Sequence, residues 1–199
     1  VGAIPLVGHR VLATPLNAVW LIAFGLCGLF ISLFNITWHR HPQAKANGGL
    51  VNILLAAAVC ATVADNLGSL VVMAEIMALC GAFLTGCATS GKLWFALGRL
   101  GTLLLAAACW LLWQRYGSLE LSVLNVRTQL LPLGSDIWVL SVLGFGLLAG
   151  IIPLHGWVPQ AHANASAPAA ALFSAVVMKV GLLGILTVSL IGVNQPLWW

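Results

Sequence analysis

The sequence predicts an all-α fold, a polytopic bundle of about six transmembrane helices, one of which is broken. Of the 199 residues, 61% are hydrophobic and only 6% are charged, and the mean hydropathy is +1.06. Soluble domains are about a quarter charged, so this chain has too few charges to cover a surface in water. Its long unbroken apolar runs exclude the alternating pattern of a membrane β-barrel. We therefore expect a helical membrane protein without a soluble domain of its own.

Charge and cysteine patterns exclude two other classes of function. The net charge is +4, but the eight Lys and Arg residues are scattered singly, which excludes a nucleic-acid-binding surface. The five cysteines lie in apolar runs without metal-ligand or redox spacing, and we interpret them as small buried residues. We expect neither a cofactor site nor a catalytic residue. Because the chain begins at Val1 and ends at Trp199 beside an apolar run, we also expect a fragment of a longer protein.

Uncharged stretches long enough for transmembrane helices recur along the chain. A span needs about 20 apolar residues, and turns rich in charge, Pro or Gly separate such stretches. The expected spans are residues 16–38, 49–64, 69–87, 93–113, 137–162 and 169–190. Residues 115–136 predict a polar connection at the surface. Most tryptophans, Trp94 and Trp157 among them, lie near predicted span ends, as residues of an interfacial aromatic belt do.

The fifth span contains the predicted break. Residues 137–178 include no Asp, Glu, Lys or Arg, and this run is too long for one straight helix. Pro153, Gly156 and Pro159 supply residues that end one helix and start another. Non-helical backbone at membrane depth is tolerated only inside protein or beside a hydrated cavity, so we expect this segment to be shielded from lipid.

Five titratable residues are candidates for a proton path: Glu75, Arg99 and Lys179 inside apolar spans, and His155 and His162 beside the break. A charge near the centre of a membrane helix costs about 2.5–3.5 kcal/mol on insertion scales, so such residues usually face a bundle interior or a hydrated cavity. We expect Glu75 and Lys179 to face the interior. The alternatives are structural: an ion pair that locks helices together, a lysine that reaches the interface, or histidines that cap helices.

Two motifs carry a resemblance to a known family. Residues 150–162 (GIIPLHGWVPQAH), followed by residues 167–168 (AP) and 178–181 (MKVG), resemble the signature of the antiporter-like membrane subunits of respiratory complex I and Mrp-type antiporters. Residues 73–79 (MAEIMAL) resemble the fifth-helix glutamate motif of that family. The amino-acid sequence of the remaining chain resembles the formate hydrogenlyase branch of this family more than its other branches.

The resemblance implies an architecture and a transport role. The subunit would contain about fourteen helices, of which this chain would hold the third to the eighth, with Glu75 and Lys179 on the proton path. The break near Pro153 would face the cytoplasm of a bacterial inner membrane. The charges of the loops alone are evenly distributed and do not indicate an orientation.

The resemblance also implies partners. The chain would belong to the membrane subunit of a hydrogen-evolving formate hydrogenlyase, which anchors a soluble redox arm and could translocate protons. Its partners would be the lipid bilayer, a second membrane subunit, and the hydrogenase, iron–sulfur and formate dehydrogenase subunits that hold nickel–iron, iron–sulfur and molybdenum centres. Two alternatives remain, a stand-alone Mrp-type cation/proton antiporter and an anchor without transport. The sequence does not indicate whether protons or sodium ions move.

One position departs from the family pattern. Members commonly carry a lysine seven residues before the histidine of the proline–leucine–histidine motif, where it pairs with the glutamate, but Leu148 stands here. Either Arg99 replaces that lysine as the cation beside Glu75, or Glu75 stays largely protonated and this segment pumps weakly or not at all. We favour Arg99, although counting from the span ends puts the two residues about 10 Å apart in depth.

Overall fold

The chain folds into a bundle of helices, which confirms the predicted all-α class. The computed structural model describes residues 14–38, 40, 47–86 and 89–191, and these contain helices and one isolated β-bridge. The helices are α1 (Pro15–Trp38), α2 (Asn47–Val63), α3 (Leu67–Thr85), α4 (Thr89–Tyr116), α5 (Leu121–Leu130), α6 (Ser135–Ala149), α7 (Trp157–Asn164), α8 (Ala167–Leu172) and α9 (Met178–Ile191). A π-helical turn, Phe173–Val177, joins α8 and α9 into one continuous helix.

Four described helices are long and apolar enough to cross a membrane. They are Pro15–Trp38, Leu67–Thr85, Gly91–Tyr116 and Ala167–Ile191. Two more apolar helices, α2 with 17 residues and α6 with 15, are shorter. Their lengths of about 23–26 Å are less than the roughly 30 Å of a bilayer core. The six expected spans therefore correspond to four long helices and two short ones.

The connection between α4 and α6, predicted over residues 115–136 as polar and at the surface, is partly helical. The α2–α3 turn supplies the reason, because Asp65 caps the start of α5. Its carboxylate accepts hydrogen bonds from the backbone N–H and the hydroxyl of Ser122, at 3.2 and 3.1 Å. At the other end of α5, the Thr128 hydroxyl donates to the Ile191 carbonyl at 2.8 Å. These contacts join the turn, α5 and the end of α9 at one end of the bundle.

The break in the fifth span lies where the prolines predict it. Helix α6 ends at Gly150, which is left-handed (φ 66°), a conformation that favours glycine. Pro153 and Gly156 lie in the non-helical segment, whereas Pro159 lies in the first turn of α7, where a proline removes no helical hydrogen bond. Ile152 is 83% exposed, and Pro153 and Gly156 are exposed as well. The expected shielding is therefore wrong for the surface that the described residues form.

Two apolar clusters fill the bundle and leave a boundary between them. The cluster nearer to the break includes Leu54, Met77, Trp94, Trp157 and Phe173. The cluster nearer to α5 includes Leu70, Leu105, Leu124, Ile137 and Phe145. On α4 the boundary falls beside Arg99, between Leu97 and Leu105, whereas on α3 Met73, Ile76 and Met77 of the cluster nearer to the break flank Glu75.

Glycines let α9 approach α6 closely. A Cβ atom on Gly181 would lie 2.5 Å from the backbone nitrogen of Ala149, and one on Gly184 would overlap the ring of Phe145. Helix association in a bilayer depends on such close packing, because lipid tails are as apolar as the helix surfaces. The α6–α9 contact therefore requires both glycines.

We predict that Gly181→Ala destabilises the full-length protein by about 1–3 kcal/mol, because the added methyl group meets backbone that cannot move away. Gly25→Ala is the matched control, since a Cβ there would have no atom within 4 Å and alanine favours a helix. The midpoint of unfolding is measured for both variants in detergent as the concentration of dodecyl sulfate is increased. Equal transition midpoints for the two would contradict the prediction.

Candidate functional site

The structure pairs Glu75 of α3 with Arg99 of α4, as expected from the leucine at position 148. The Arg99 guanidinium forms an ion pair with carboxylate atom Oε1 of Glu75, and the side chains are 31% and 20% exposed, respectively. The guanidinium carbon also lies 5.2 Å from the centroid of the Phe95 ring, a cation–π contact one helical turn away. The long arginine side chain thus spans the difference in depth between Glu75 and Arg99 that was estimated by counting residues from the span ends. Arg99 thus supplies the cation beside Glu75 that the resemblance led us to expect in place of a lysine at position 148.

The second carboxylate oxygen of Glu75 is also bound. Atom Oε2 accepts a hydrogen bond from the Thr102 hydroxyl, and this hydroxyl also lies 3.0 Å from the Gly98 carbonyl oxygen. Thr102 follows Arg99 by three residues, so both lie on the face of α4 that meets α3. Arg99 Nε is buried and has no hydrogen-bond partner among the described residues. Thr102 is not among the site residues predicted from the sequence, although its spacing of three residues from Arg99 indicates that both lie on one face of the helix.

A small cavity adjoins the pair. Its volume is about 20 Å³, which is space for about one water molecule, and mostly apolar groups line it. Thr102 and Leu148 both line this cavity. The α6 position that carries a lysine in the family therefore borders the same space as the hydroxyl that binds Glu75. Leucine keeps this side of the space apolar.

Two tryptophans, Trp94 of α4 and Trp157 of α7, line this cavity. Trp94 and Trp157 are only 3% and 4% exposed, and their ring centroids lie 3.9 Å apart, edge to face. Their indole N–H groups donate to the carbonyl oxygens of Ala78 and Leu147, at 2.8 and 2.6 Å. The interfacial positions expected for these tryptophans are therefore wrong. Both are core residues that hold α7 against α3, α4 and α6.

The other candidates on the proton path lie away from Glu75. Lys179 is exposed on the outside of the described bundle. The expectation that it faces the interior of a larger bundle stays a prediction. His155 is exposed, and His162 is half-buried with Nε2 3.3 Å from the Ser174 hydroxyl oxygen. Within the described ranges, the structure brings Glu75 and Arg99 together but joins neither of them to Lys179 or the histidines by a hydrogen bond or ion pair.

The π-helical turn sets the direction of Lys179. Lys179 is five positions after Ser174. In a regular α-helix these two side chains would point about 140° apart. The turn Phe173–Val177 accommodates one extra residue per turn, which brings the two side chains back toward the same side. Both are exposed. Ser174, His162 and Lys179 therefore lie along one outer side of the chain.

Metal-ligating side chains do not converge within the described part of the chain. No three residues among His, Cys, Asp and Glu there are placed to hold a metal ion. Cys80 and Cys109 are buried, but Cys60 is exposed, which corrects its interpretation as a buried residue. Cys87 lies outside the described residues.

Sequence comparisons identify relatives. Residues 64–199 match the family model described as the transmembrane part of NADH:quinone oxidoreductase and Mrp antiporters. Formate hydrogenlyase subunit 3 of Escherichia coli is 74% identical over 198 residues, covering 100% of this chain and 33% of that protein. Hydrogenase-4 component B of Escherichia coli is 33% identical over 196 residues, covering 92% of this chain and 29% of that protein. The chain thus spans about a third of the length of these relatives.

Solved structures share the fold. The chain superimposes on a subunit of an archaeal membrane-bound sulfane sulfur reductase with a TM-score of 0.75 and 20% identity, covering 88% of this chain and 29% of that one. It also superimposes on a subunit of the Mrp complex from a Dietzia species with a TM-score of 0.74 and 19% identity, covering 86% and 34%. At this identity the match concerns the helix arrangement alone.

We predict that Arg99→Gln destabilises the protein by up to about 3 kcal/mol, because it leaves the Glu75 carboxylate without a cation. That value is the low end for breaking a buried pair, since Arg99 is about one-third exposed. Leu148→Lys should restore the stability of Arg99→Gln, and Arg115→Gln, which removes an exposed arginine, is the control. The amount of each variant in membranes and the midpoint of its unfolding transition measure these effects. If Arg99→Gln is as harmless as the control with Leu148 in place, Arg99 is no substitute for the lysine.

Proposed function

Because the chain belongs to the NADH:quinone oxidoreductase/Mrp antiporter transmembrane family, we propose that it is part of the membrane subunit of a formate hydrogenlyase-type complex and carries protons through Glu75. The high identity to formate hydrogenlyase subunit 3 supports the choice of complex. One observation carries the transport proposal: the Glu75–Arg99 ion pair between two helices that are long and apolar enough to cross a membrane. A titratable carboxylate at such a depth is a typical element of an ion path.

The pair can couple proton uptake to movement of one side chain. Arginine stays protonated under all physiological conditions, so Glu75 alone changes its charge. While Arg99 contacts it, the carboxylate is stabilised in its ionised form. If Arg99 withdraws toward Phe95 and the outside of α4, an isolated carboxylate in a low-dielectric interior favours binding a proton. The return of Arg99 then favours proton release.

Lys179 and the histidines would continue the path on the outer side of the chain. Lys179 lies midway along the continuous helix Ala167–Ile191, a depth at which a charge facing lipid is costly. We assign this side to contact with the remaining two thirds of the subunit or with water. His162, through Ser174, would connect it to the segment around the break.

The whole subunit would anchor a soluble redox arm in a bacterial inner membrane. Its proposed partners are a second membrane subunit and the hydrogenase, iron–sulfur and formate dehydrogenase subunits. The nickel–iron, iron–sulfur and molybdenum centres belong to those partners in this proposal. This chain would contribute no redox chemistry and would respond to electron transfer only through the charge and position of the Glu75–Arg99 pair.

We predict that Glu75→Gln reduces formate-dependent proton movement in inverted vesicles at least about tenfold, because glutamine cannot bind and release a proton. Lys179→Ala should also reduce it, whereas Lys92→Ala, which removes an exposed lysine at the start of α4, should not. Hydrogen evolution and assembly of the complex are measured in parallel. Unchanged proton movement in an assembled Glu75→Gln complex would refute the transport role.

Affinity purification of the full-length subunit tests the assignment to a complex. We expect hydrogenase and formate dehydrogenase subunits to co-purify in fixed proportion. A subunit that purifies without redox partners and exchanges cations for protons would instead be a stand-alone antiporter.

A further inference from the structure

The Thr102 hydroxyl has one proton and two acceptors within reach. One acceptor is Oε2 of Glu75, across the α3–α4 interface, and the other is the Gly98 carbonyl, 3.0 Å away in the preceding turn of α4. Threonine in a helix readily donates to the carbonyl four residues earlier, so the second bond is intrinsic to this position. A hydroxyl can donate only one hydrogen bond at a time, although it can accept others. At any moment the Thr102 hydroxyl therefore donates its hydrogen bond to only one of these two acceptors.

Building on the proposed function, we propose that Thr102 is a positioning residue whose hydroxyl turns between Glu75 and Gly98 as Glu75 loses and gains its proton. With Glu75 ionised, Thr102 donates to Oε2. With Glu75 protonated, the new O–H on Oε2 donates to the Thr102 oxygen, and the threonine proton turns to the Gly98 carbonyl. One proton arrives at Oε2 and one leaves from it, while Thr102 keeps its own proton throughout.

The arrangement also determines which carboxylate oxygen takes the proton. Arg99 contacts Oε1, where a cation opposes protonation, so a proton that arrives as Arg99 begins to withdraw binds at Oε2. Oε2 faces Thr102, which in turn borders the cavity of about 20 Å³ that Leu148 lines. The hydroxyl thus connects the protonating oxygen to a side chain that borders this cavity.

Three substitutions separate the hydroxyl from the shape of the side chain. Thr102→Val keeps the branched shape and removes the hydroxyl, Thr102→Ser keeps the hydroxyl, and Thr102→Ala removes the hydroxyl without the risk of a clash should valine impair assembly. Each is made in the full complex in native lipid. Difference infrared spectroscopy between pH steps records the carboxyl C=O band of Glu75, which Glu75→Gln identifies by its loss.

We expect valine and alanine to raise the proton affinity of Glu75 about tenfold, because each removes a hydrogen bond that is stronger to the ionised carboxylate than to the neutral acid. Serine should titrate as the wild type does. Valine and alanine variants that titrate with the wild-type midpoint, or a serine variant that shifts as far as valine, would overturn the role of Thr102 and leave proton transport by Glu75 standing. A wild-type complex in which Glu75 shows no titrating band would overturn the proposed function and this inference together.

Discussion

A carboxylate surrounded by hydrocarbon needs a cation, and the contact between Glu75 and Arg99 meets that need within one helical hairpin. Much of the local structure follows from it. Helices α3 and α4 must keep the register that brings the two side chains together, and on α3 the apolar residues Met73, Ile76 and Met77 flank the carboxylate. Thr102 then reaches the remaining oxygen because it is one turn from Arg99 on the same helix. The result is a polar site formed by two adjacent helices.

An arginine on α4, in exchange for the α6 lysine that the family resemblance implies, changes what the site can do. A buried lysine can lose its proton, so a glutamate–lysine pair has two groups that can titrate. Arginine does not, and Glu75 is then the one member of this pair that changes charge. The exchange also leaves α6 apolar at Leu148, beside the cavity, and lets its glycine-rich contacts with α4 and α9 close without another charge between them.

Composition and local spacing were sufficient for the fold class and the position of the break, and the family resemblance, through the leucine at position 148, indicated the ion pair. They were insufficient where a contact joins distant parts of the chain. Helix α5 depends on a cap from Asp65 in an earlier turn, and nothing in residues 115–136 indicates that cap. Trp94 and Trp157 match an interfacial pattern by position, but each finds a carbonyl acceptor on a neighbouring helix and is buried. Thr102 was missed because a threonine in an apolar span has no charge to draw attention to it.

The direction of Lys179 depends on a single extra residue in the helix that carries it. A span predicted as a regular helix places Lys179 on a different side from Ser174, whereas the π-helical turn turns both toward the outside. At the middle of a span, that side cannot face hydrocarbon without a cost of about 2.5–3.5 kcal/mol on insertion scales. A chain that spans a third of its relatives' length exposes surfaces that further helices can cover. The π-helical turn therefore leaves Lys179 on a surface where a neighbouring helix can contact it.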